Sequence, residues 1–269
     1  MSIIHTRRYG DRGPAVVIVH GGPAAPGAVA PLGRALAATF RVFEPFQRGS
    51  SDVPLTVAQH VADMHDVIET HLPDERPAIV GHSWGAMLTL AYAAEHPGRA
   101  SSLALVGCGT FSTAARSRMK DTIAERSEDP EIAEKMASIE RDIDDPNERM
   151  AAYGKLMGEL YAYELLPSKG PDEVNGDALA HEETWADALR QQEEGAHPAA
   201  FANITEPAIM LHGDHDPHPG RMIFAGLQQI MPQLQYSELP RCGHEPWRER
   251  YARDEFYRRL RQWLRDTTK

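Results

Sequence analysis

Ser83 stands in GHSWG, midway between Gly81 and Gly85, behind the apolar run AIV and ahead of AMLTLAYA. A hydroxyl that must attack a carbonyl is well served by such a setting. Glycines on either side let a strand and a helix pass closely, and the sharp turn between them lifts the serine clear of both. A helix that starts at the serine also points its first N–H groups at negative charge developing beside it. An alcohol is a weak nucleophile at neutral pH, so it needs an imidazole to take its proton and a carboxylate to hold that imidazole. His244 lies in ELPRCGHEPW, and Asp214 and Asp216 lie together in MLHGDHDPHPG, both segments following apolar runs. The competing account is a glycine-rich turn in which Ser83 only caps a helix, and residue type alone leaves both aspartates open.

The same loop carries His212, His215 and His218, which raises a metal site. Their spacing is irregular and no histidine–carboxylate helix motif accompanies them, so no metal is expected. His20 ends an apolar run and His82 immediately precedes the serine; both suit structural hydrogen bonding better than proton transfer. Cys108 and Cys242 are too few to frame a chain of 269 residues and are expected as buried thiols.

These residues need elements to hold them. Strands are expected at 3–9, 15–20, 41–45, 78–80, 103–106, 209–212 and 235–239, several of them continuously apolar, as in strands covered on both faces. Helical spacing falls between them at 28–40, 56–72, 86–96, 220–231 and 248–265. That alternation predicts a mostly parallel sheet with crossover helices. It stops between Cys108 and Pro207, where helices are expected at 112–126, 130–143, 147–165 and 182–194, punctuated by Pro130, Pro146, Pro167 and Pro171. This is an insertion between two strands, with no internal repeat. A net charge of −11 argues against nucleic acid or an anionic membrane as partner. The N-terminal MSIIHTRRYGDRG lacks the apolar core of a signal peptide, and no apolar run reaches spanning length; the expected location is cytoplasmic.

HGGP at 20–23, QRGSS at 47–51 and GHSWG at 81–85 give the chain its likeness to a known family. It resembles the α/β-hydrolase fold family and, within it, the proline-iminopeptidase-like serine hydrolases, over nearly its whole length and more loosely in the insertion. The resemblance implies an α/β fold, a mostly parallel central sheet flanked by helices, with a helical cap inserted between two late strands. Residues 1–108 and 207–269 would form the core and 109–206 the cap. It implies a triad of Ser83, Asp216 and His244, whose chain order is that of the fold. The family's G-x-x-D pattern selects Asp216 over Asp214. By matching positions, the N–H groups of Gly22 and Trp84 would form the oxyanion hole.

In proline-iminopeptidase relatives, acidic cap residues hold the substrate's free amino group, which makes Glu182, Glu183 and Trp185 substrate-binding candidates, with Glu193 and Glu194 further along. The competing account is the solvated face of an amphipathic helix. Two departures weaken the aminopeptidase expectation: Ala186 follows Trp185 where relatives carry an acid, and Phe46 stands where the family has aspartate before QRG. The implied activity is hydrolysis of an ester or amide of a small molecule or short peptide through an acyl-enzyme, with no cofactor. An aminopeptidase acting on N-terminal proline is the specific form. A carboxylesterase, a carbon–carbon bond hydrolase and a catalytically silent ligand receptor are the alternatives.

Overall fold

The computed structural model describes residues 4–23, 25–167 and 176–268. Seven strands form one sheet: β1 (Thr6–Tyr9), β2 (Ala15–Val19), β3 (Arg41–Pro45), β4 (Ala78–His82), β5 (Ser102–Val106), β6 (Ala208–Gly213) and β7 (Leu234–Leu239). Their spatial order is β1-β3-β2-β4-β5-β6-β7, with β1 antiparallel to β3 and every other pairing parallel. The four central strands β2, β4, β5 and β6 are buried along their whole length, which is why they read as unbroken apolar runs rather than alternating ones.

Helices α1 (Ala30–Leu36), α2 (Val57–His71) and α3 (Trp84–Glu95) follow β2, β3 and β4. Between β5 and β6 come α4 (Thr113–Ser127), α5 (Pro130–Asp142), α6 (Pro146–Leu160), α7 (Ala178–Glu193) and the short α8 (Ala196–Ala199). Helices α9 (Gly220–Gln228) and α10 (Arg253–Thr267) complete the chain. The strands split their side chains between two cores. Val17, Val19, Ile79, Leu103, Leu105 and Met210 face α2, α3 and α9, while Val16, Ile18, Val80, Val106 and Leu211 face α1 and α10. Helix α10 supplies Phe256, Leu260, Trp263 and Leu264 from a single stripe, the apolar face a helix lays on a sheet.

Several boundaries differ from the sequence expectation for local reasons. Helix α1 is shorter because Gly27 turns the chain at φ +90° and Pro31 enters the first helical turn. Helix α6 stops at Leu160 rather than running to 165, because the N–H groups of Tyr163 and Glu164 bond the Glu249 side chain instead of helical carbonyls. The final helix begins at Arg253, after a single 3₁₀ turn at Pro246–Arg248. Of the expected first strand and punctuating prolines, Ile3 and Pro171 lie outside the described residues.

The chain crosses from β2 outward to β3, then returns to place β4 on the other side of β2. Strand order therefore reverses between β2 and β4, and the crevice beyond their carboxyl ends is where open parallel sheets bind ligands. Gly21 and Gly22 leave β2 there, and Ser83 leaves β4.

Candidate active site

Ser83 has φ 55° and ψ −119°, a strained backbone state for a residue with a side chain. Such strain costs of order 1–3 kcal/mol and persists only where the surroundings hold it. Here the Ser83 N–H donates to Val106 O at 2.9 Å, and Ser83 O accepts from Ala86 N at 3.0 Å. Close approach explains the flanking glycines. A Cβ on Gly85 would lie 2.2 Å from Val19 O, and one on Gly81 would lie 2.3 Å from Gly85 O. The Ser83 side chain caps no helix N–H, so the capping account of this serine finds no support in its contacts.

Gly21 brings the turn after β2 against the serine, since a Cβ there would sit 2.9 Å from Ser83 Cβ. Gly22 adopts φ +47°, open to glycine at little cost. Trp84 is the first residue of α3, where a backbone N–H has no intrahelical acceptor. Gln47 ties these two sides together. Its N–H donates to His20 Nε2 at 3.1 Å, its Nε2 donates to His20 O at 3.0 Å, and its Oε1 accepts from Trp84 Nε1 at 2.9 Å. His20 is fully buried, and burial pulls its pKa down to about 4, so it serves as a neutral structural ring. Gln47 appeared in the sequence only as part of a motif; its brace spans 37 positions to Trp84 and leaves no local pattern.

Asp216 and His244 are brought together by the loops after β6 and β7. His244 Nδ1 donates to Asp216 Oδ2 at 2.7 Å. The same carboxylate accepts from His218 N at 2.9 Å and His218 Nδ1 at 2.8 Å, both at Oδ1, and His212 Nε2 lies 3.3 Å from Oδ2. The Asp216 side chain has no exposed surface. Burial alone would raise its pKa, but His244, His218 and His212 together hold it well below the usual carboxylate range. For His244, burial favours the neutral ring, and the Asp216 charge outweighs it, so the pKa is raised.

Asp214 faces elsewhere, its Oδ1 accepting from Cys242 N at 3.2 Å. His82 Nε2 donates to His244 O at 3.1 Å and anchors the base loop. The Ser83 and His244 segments both pass the end of β5, where Val106 O holds the Ser83 N–H and a Cβ on the next residue, Gly107, would lie 3.1 Å from His244 Nδ1. Cys108 and Cys242 are both buried free thiols.

The helices between β5 and β6 reach this centre through Tyr161, whose ring stands edge-on to both His218 and His244 at 5.8 and 5.6 Å. Tyr161 O accepts from His244 N at 3.3 Å. From α7, the Trp185 ring meets Trp84 at 5.5 Å. Glu183 Oε2 accepts from Leu55 N at 2.9 Å, and Asp187 Oδ2 accepts from Val57 N at 2.8 Å. These two acids tie α7 to the start of α2, whereas Glu182 is exposed.

Glu249 is a residue the sequence did not single out. It is fully buried, and its carboxyl group accepts from Gly243 N at 2.8 Å, Tyr163 N at 2.9 Å and Glu164 N at 2.8 Å. It therefore locks the loop carrying His244 to the end of α6. In Glu249→Gln the amide NH₂ faces at least one of those N–H donors. The expected loss is about 2–3 kcal/mol, read by calorimetry as a melting temperature lower by roughly 5–10 °C. A melting temperature unchanged in the variant would show that these bonds do not hold the loop in place.

Comparison with known proteins agrees with this architecture. A family model described as alpha/beta hydrolase fold matches residues 14–249. A protein of Streptomyces coelicolor described as a probable proline iminopeptidase is 33% identical over 117 residues, covering 38% of this chain and 35% of that protein. Among solved structures, a thermophilic esterase from Thermogutta terrifontis superposes with a TM-score of 0.64 at 18% identity, covering 99% of this chain and 94% of that one. The enol-lactonase from Burkholderia xenovorans superposes with a TM-score of 0.63 at 20% identity, covering 97% and 96%. At these identities the structural likenesses establish the fold. Among the described residues, no helix is long and apolar enough to cross a membrane.

Proposed function

Since the chain belongs to the alpha/beta hydrolase fold family, we propose that it is a serine hydrolase that cleaves a small carboxylic ester through an acyl-enzyme, with Ser83 as nucleophile, His244 as base and Asp216 as the orienting acid. The observation that carries the proposal is the 2.7 Å bond from His244 Nδ1 to buried Asp216, in a chain that holds Ser83 in a strained strand-to-helix turn. The bond fixes the His244 tautomer, with Nδ1 protonated and Nε2 bare. Nε2 takes the Ser83 proton as Oγ attacks the carbonyl carbon. The N–H groups of Gly22 and Trp84 receive the oxyanion, with Gln47 holding the two sides of that site at a fixed spacing. His244 then protonates the departing alkoxide, and water, deprotonated by the same ring, releases the acid and restores Ser83.

Residues 109–206 are taken as a cap over the serine, with Tyr161 and Trp185 as its nearest aromatic groups. The ester reading is preferred because the cap acids best placed to hold an amino group are engaged elsewhere: Glu183 with Leu55, and Asp187 with Val57 and Arg190. Cleavage of an N-terminal prolyl amide is the second reading, favoured by the partial match to the Streptomyces protein. The test is turnover of a short-chain chromogenic ester beside a prolyl chromogenic amide. Ester turnover at least tenfold faster in kcat/KM is the expected result. Comparable turnover of the amide would overturn the ester preference in favour of the aminopeptidase. Silence on both, with no fluorophosphonate labelling of Ser83, would sink the serine-hydrolase proposal and point to a ligand receptor.

A further inference from the structure

Arg126 is the penultimate residue of α4, and its guanidinium reaches two backbone carbonyls far apart in the chain. Nη1 donates to Leu160 O at 2.9 Å, and Nη2 donates to His215 O at 2.6 Å. Both terminal nitrogens thus serve main-chain oxygens. The side chain is partly buried, and burial lowers its pKa, a cost that an exposed arginine at a helix end does not carry. Each of the two carbonyls belongs to a peptide that leads into the candidate site. Leu160 O lacks its ordinary helical donor, because the N–H of Glu164 is taken by Glu249, and Arg126 supplies one instead. The next residue is Tyr161, whose O accepts from His244 N at 3.3 Å and whose ring stands 5.6 Å from that of His244. His215 O belongs to the peptide that enters Asp216. A peptide group is planar, so fixing its oxygen also fixes the direction in which the following Cα departs.

We propose that Arg126 is a positioning residue of the triad: its guanidinium bridges the peptide that leads into Asp216 and the peptide that leads into Tyr161, and so holds Asp216 and His244 in register from the side of α4. This rests on the reading of Ser83, Asp216 and His244 as a hydrolytic triad. A guanidinium suits the task because its donors form a rigid planar fork, so two carbonyls bonded to it keep a fixed spacing. The acid enters the fork through His215 O, and the base enters through Tyr161.

Two other bonds join the acid and base loops. His215 N donates to Cys242 O at 2.9 Å, and Cys242 N donates to Asp214 Oδ1 at 3.2 Å. Both lie ahead of Asp216 and His244 in the chain, so they fix where the loops leave the sheet. The peptide between His215 and Asp216 has a long turn bond, from Asp216 N to Gly213 O at 3.3 Å. The bond from Arg126 to its oxygen is shorter and charge-assisted. Arg126 is therefore the firmer anchor of the peptide that aims the carboxylate.

The experiment compares Arg126→Met, which removes the donors, with Arg126→Lys, which keeps the charge as a point donor without the fork. Arg149→Met is the control. Arg149 sits at the opposite end of α6 and donates Nε and Nη2 to a single carbonyl, Ile143 O, at 3.0 and 2.8 Å. The readouts are kcat and KM for the short-chain ester, and the downfield Nδ1–H resonance of His244 in ¹⁵N-histidine-labelled protein, assigned by its loss in His244→Gln. Both Arg126 variants should lose about 10- to 100-fold in kcat, the scale for a reacting group misplaced by about 1 Å, with KM within about twofold. Their His244 resonance should shift or broaden. Arg149→Met should keep kcat within about twofold and the resonance in place, whatever it does to the melting temperature.

Wild-type kcat in Arg126→Lys overturns the bridge, since charge alone then suffices. A loss confined to KM makes Arg126 a substrate contact and overturns the positioning role. An unmoved resonance with unchanged kcat in Arg126→Met overturns it as well, and if Ser83→Ala is inactive in that case the hydrolase reading stands. If Arg126→Met does not fold, Arg126→Lys decides by the same readouts. Absence of Ser83-dependent turnover in the wild type sinks the hydrolase reading, and the resonance alone then decides whether Arg126 holds the bond between Asp216 and His244.

Discussion

Ser83→Ala is expected to lower kcat/KM toward a short-chain ester by roughly 10⁴- to 10⁶-fold, the scale of losses when a triad nucleophile is removed. It should also abolish labelling by a fluorophosphonate. The substitution is unusually clean here. The Ser83 side chain caps no helix N–H, and alanine keeps the Cβ that sits beside Gly21. The strained φ of 55° is imposed by the Val106 bond and the Gly81–Gly85 crossing, which alanine shares. The melting temperature should therefore stay within about 2 °C, corresponding to a change of roughly 0.5 kcal/mol or less. Lost turnover with retained stability identifies chemistry at Oγ. Residual turnover within tenfold of the wild type would show that another group attacks the carbonyl.

The fold was legible where local pattern and tertiary environment agree. Strands β2, β4, β5 and β6 announce themselves as short apolar runs because both faces are buried. Starts of α5 and α6 are marked by Asp129 and Asp145 ahead of Pro130 and Pro146, and each aspartate caps its helix through Oδ1. The end of α6 was not legible. Helical spacing continues past Leu160, but a carboxyl group 86 positions ahead of Tyr163 captures that backbone N–H. No window of neighbouring residues contains Glu249.

The candidate site divides the same way. Ser83 lies in a short motif whose glycines report a local need for close approach, so sequence points to it directly, while Gly22 and Trp84 were named by matching positions in the resembled family. The loops after the last strands offered His244 and two aspartates, the family's G-x-x-D pattern selected Asp216 over Asp214, and the structure joins Asp216 and His244 in one hydrogen bond. Gln47, Tyr161 and Glu249 act across long separations, through a brace, a ring edge and a buried carboxyl, and their residue types are unremarkable where they stand. His218 was visible as one of several crowded histidines, but its tie to Oδ1 depends on a loop conformation that composition does not encode. For Glu183, helical charge pattern could not distinguish a substrate-facing acid from one that accepts the Leu55 N–H.

Asp216→Asn should cost about 10⁴-fold in kcat, the scale on which the orienting acid of a serine-protease triad matters. The carboxylate receives His244 Nδ1 on Oδ2 and His218 N and Nδ1 on Oδ1, while His212 Nε2 bonds His218 O at 2.9 Å. An asparagine has only one accepting oxygen. If that oxygen keeps the two His218 donors, its NH₂ faces His244 Nδ1, which must then give up its proton and carry it on Nε2, where it cannot act as a base.

The pH dependence separates this cause from simple loosening. In the wild type, Asp216 raises the His244 pKa against the pull of burial, so activity is lost as pH falls through a pKa raised from the ordinary histidine value. Without the Asp216 anion, burial, the largest influence on the ring, favours its neutral form against the smaller pull of Glu245, so the residual activity of Asp216→Asn should survive to lower pH than that of the wild type. A displacement to lower pH in Asp216→Asn would locate the controlling charge on Asp216. An undisplaced profile would mean that the substitution only disorders the loop.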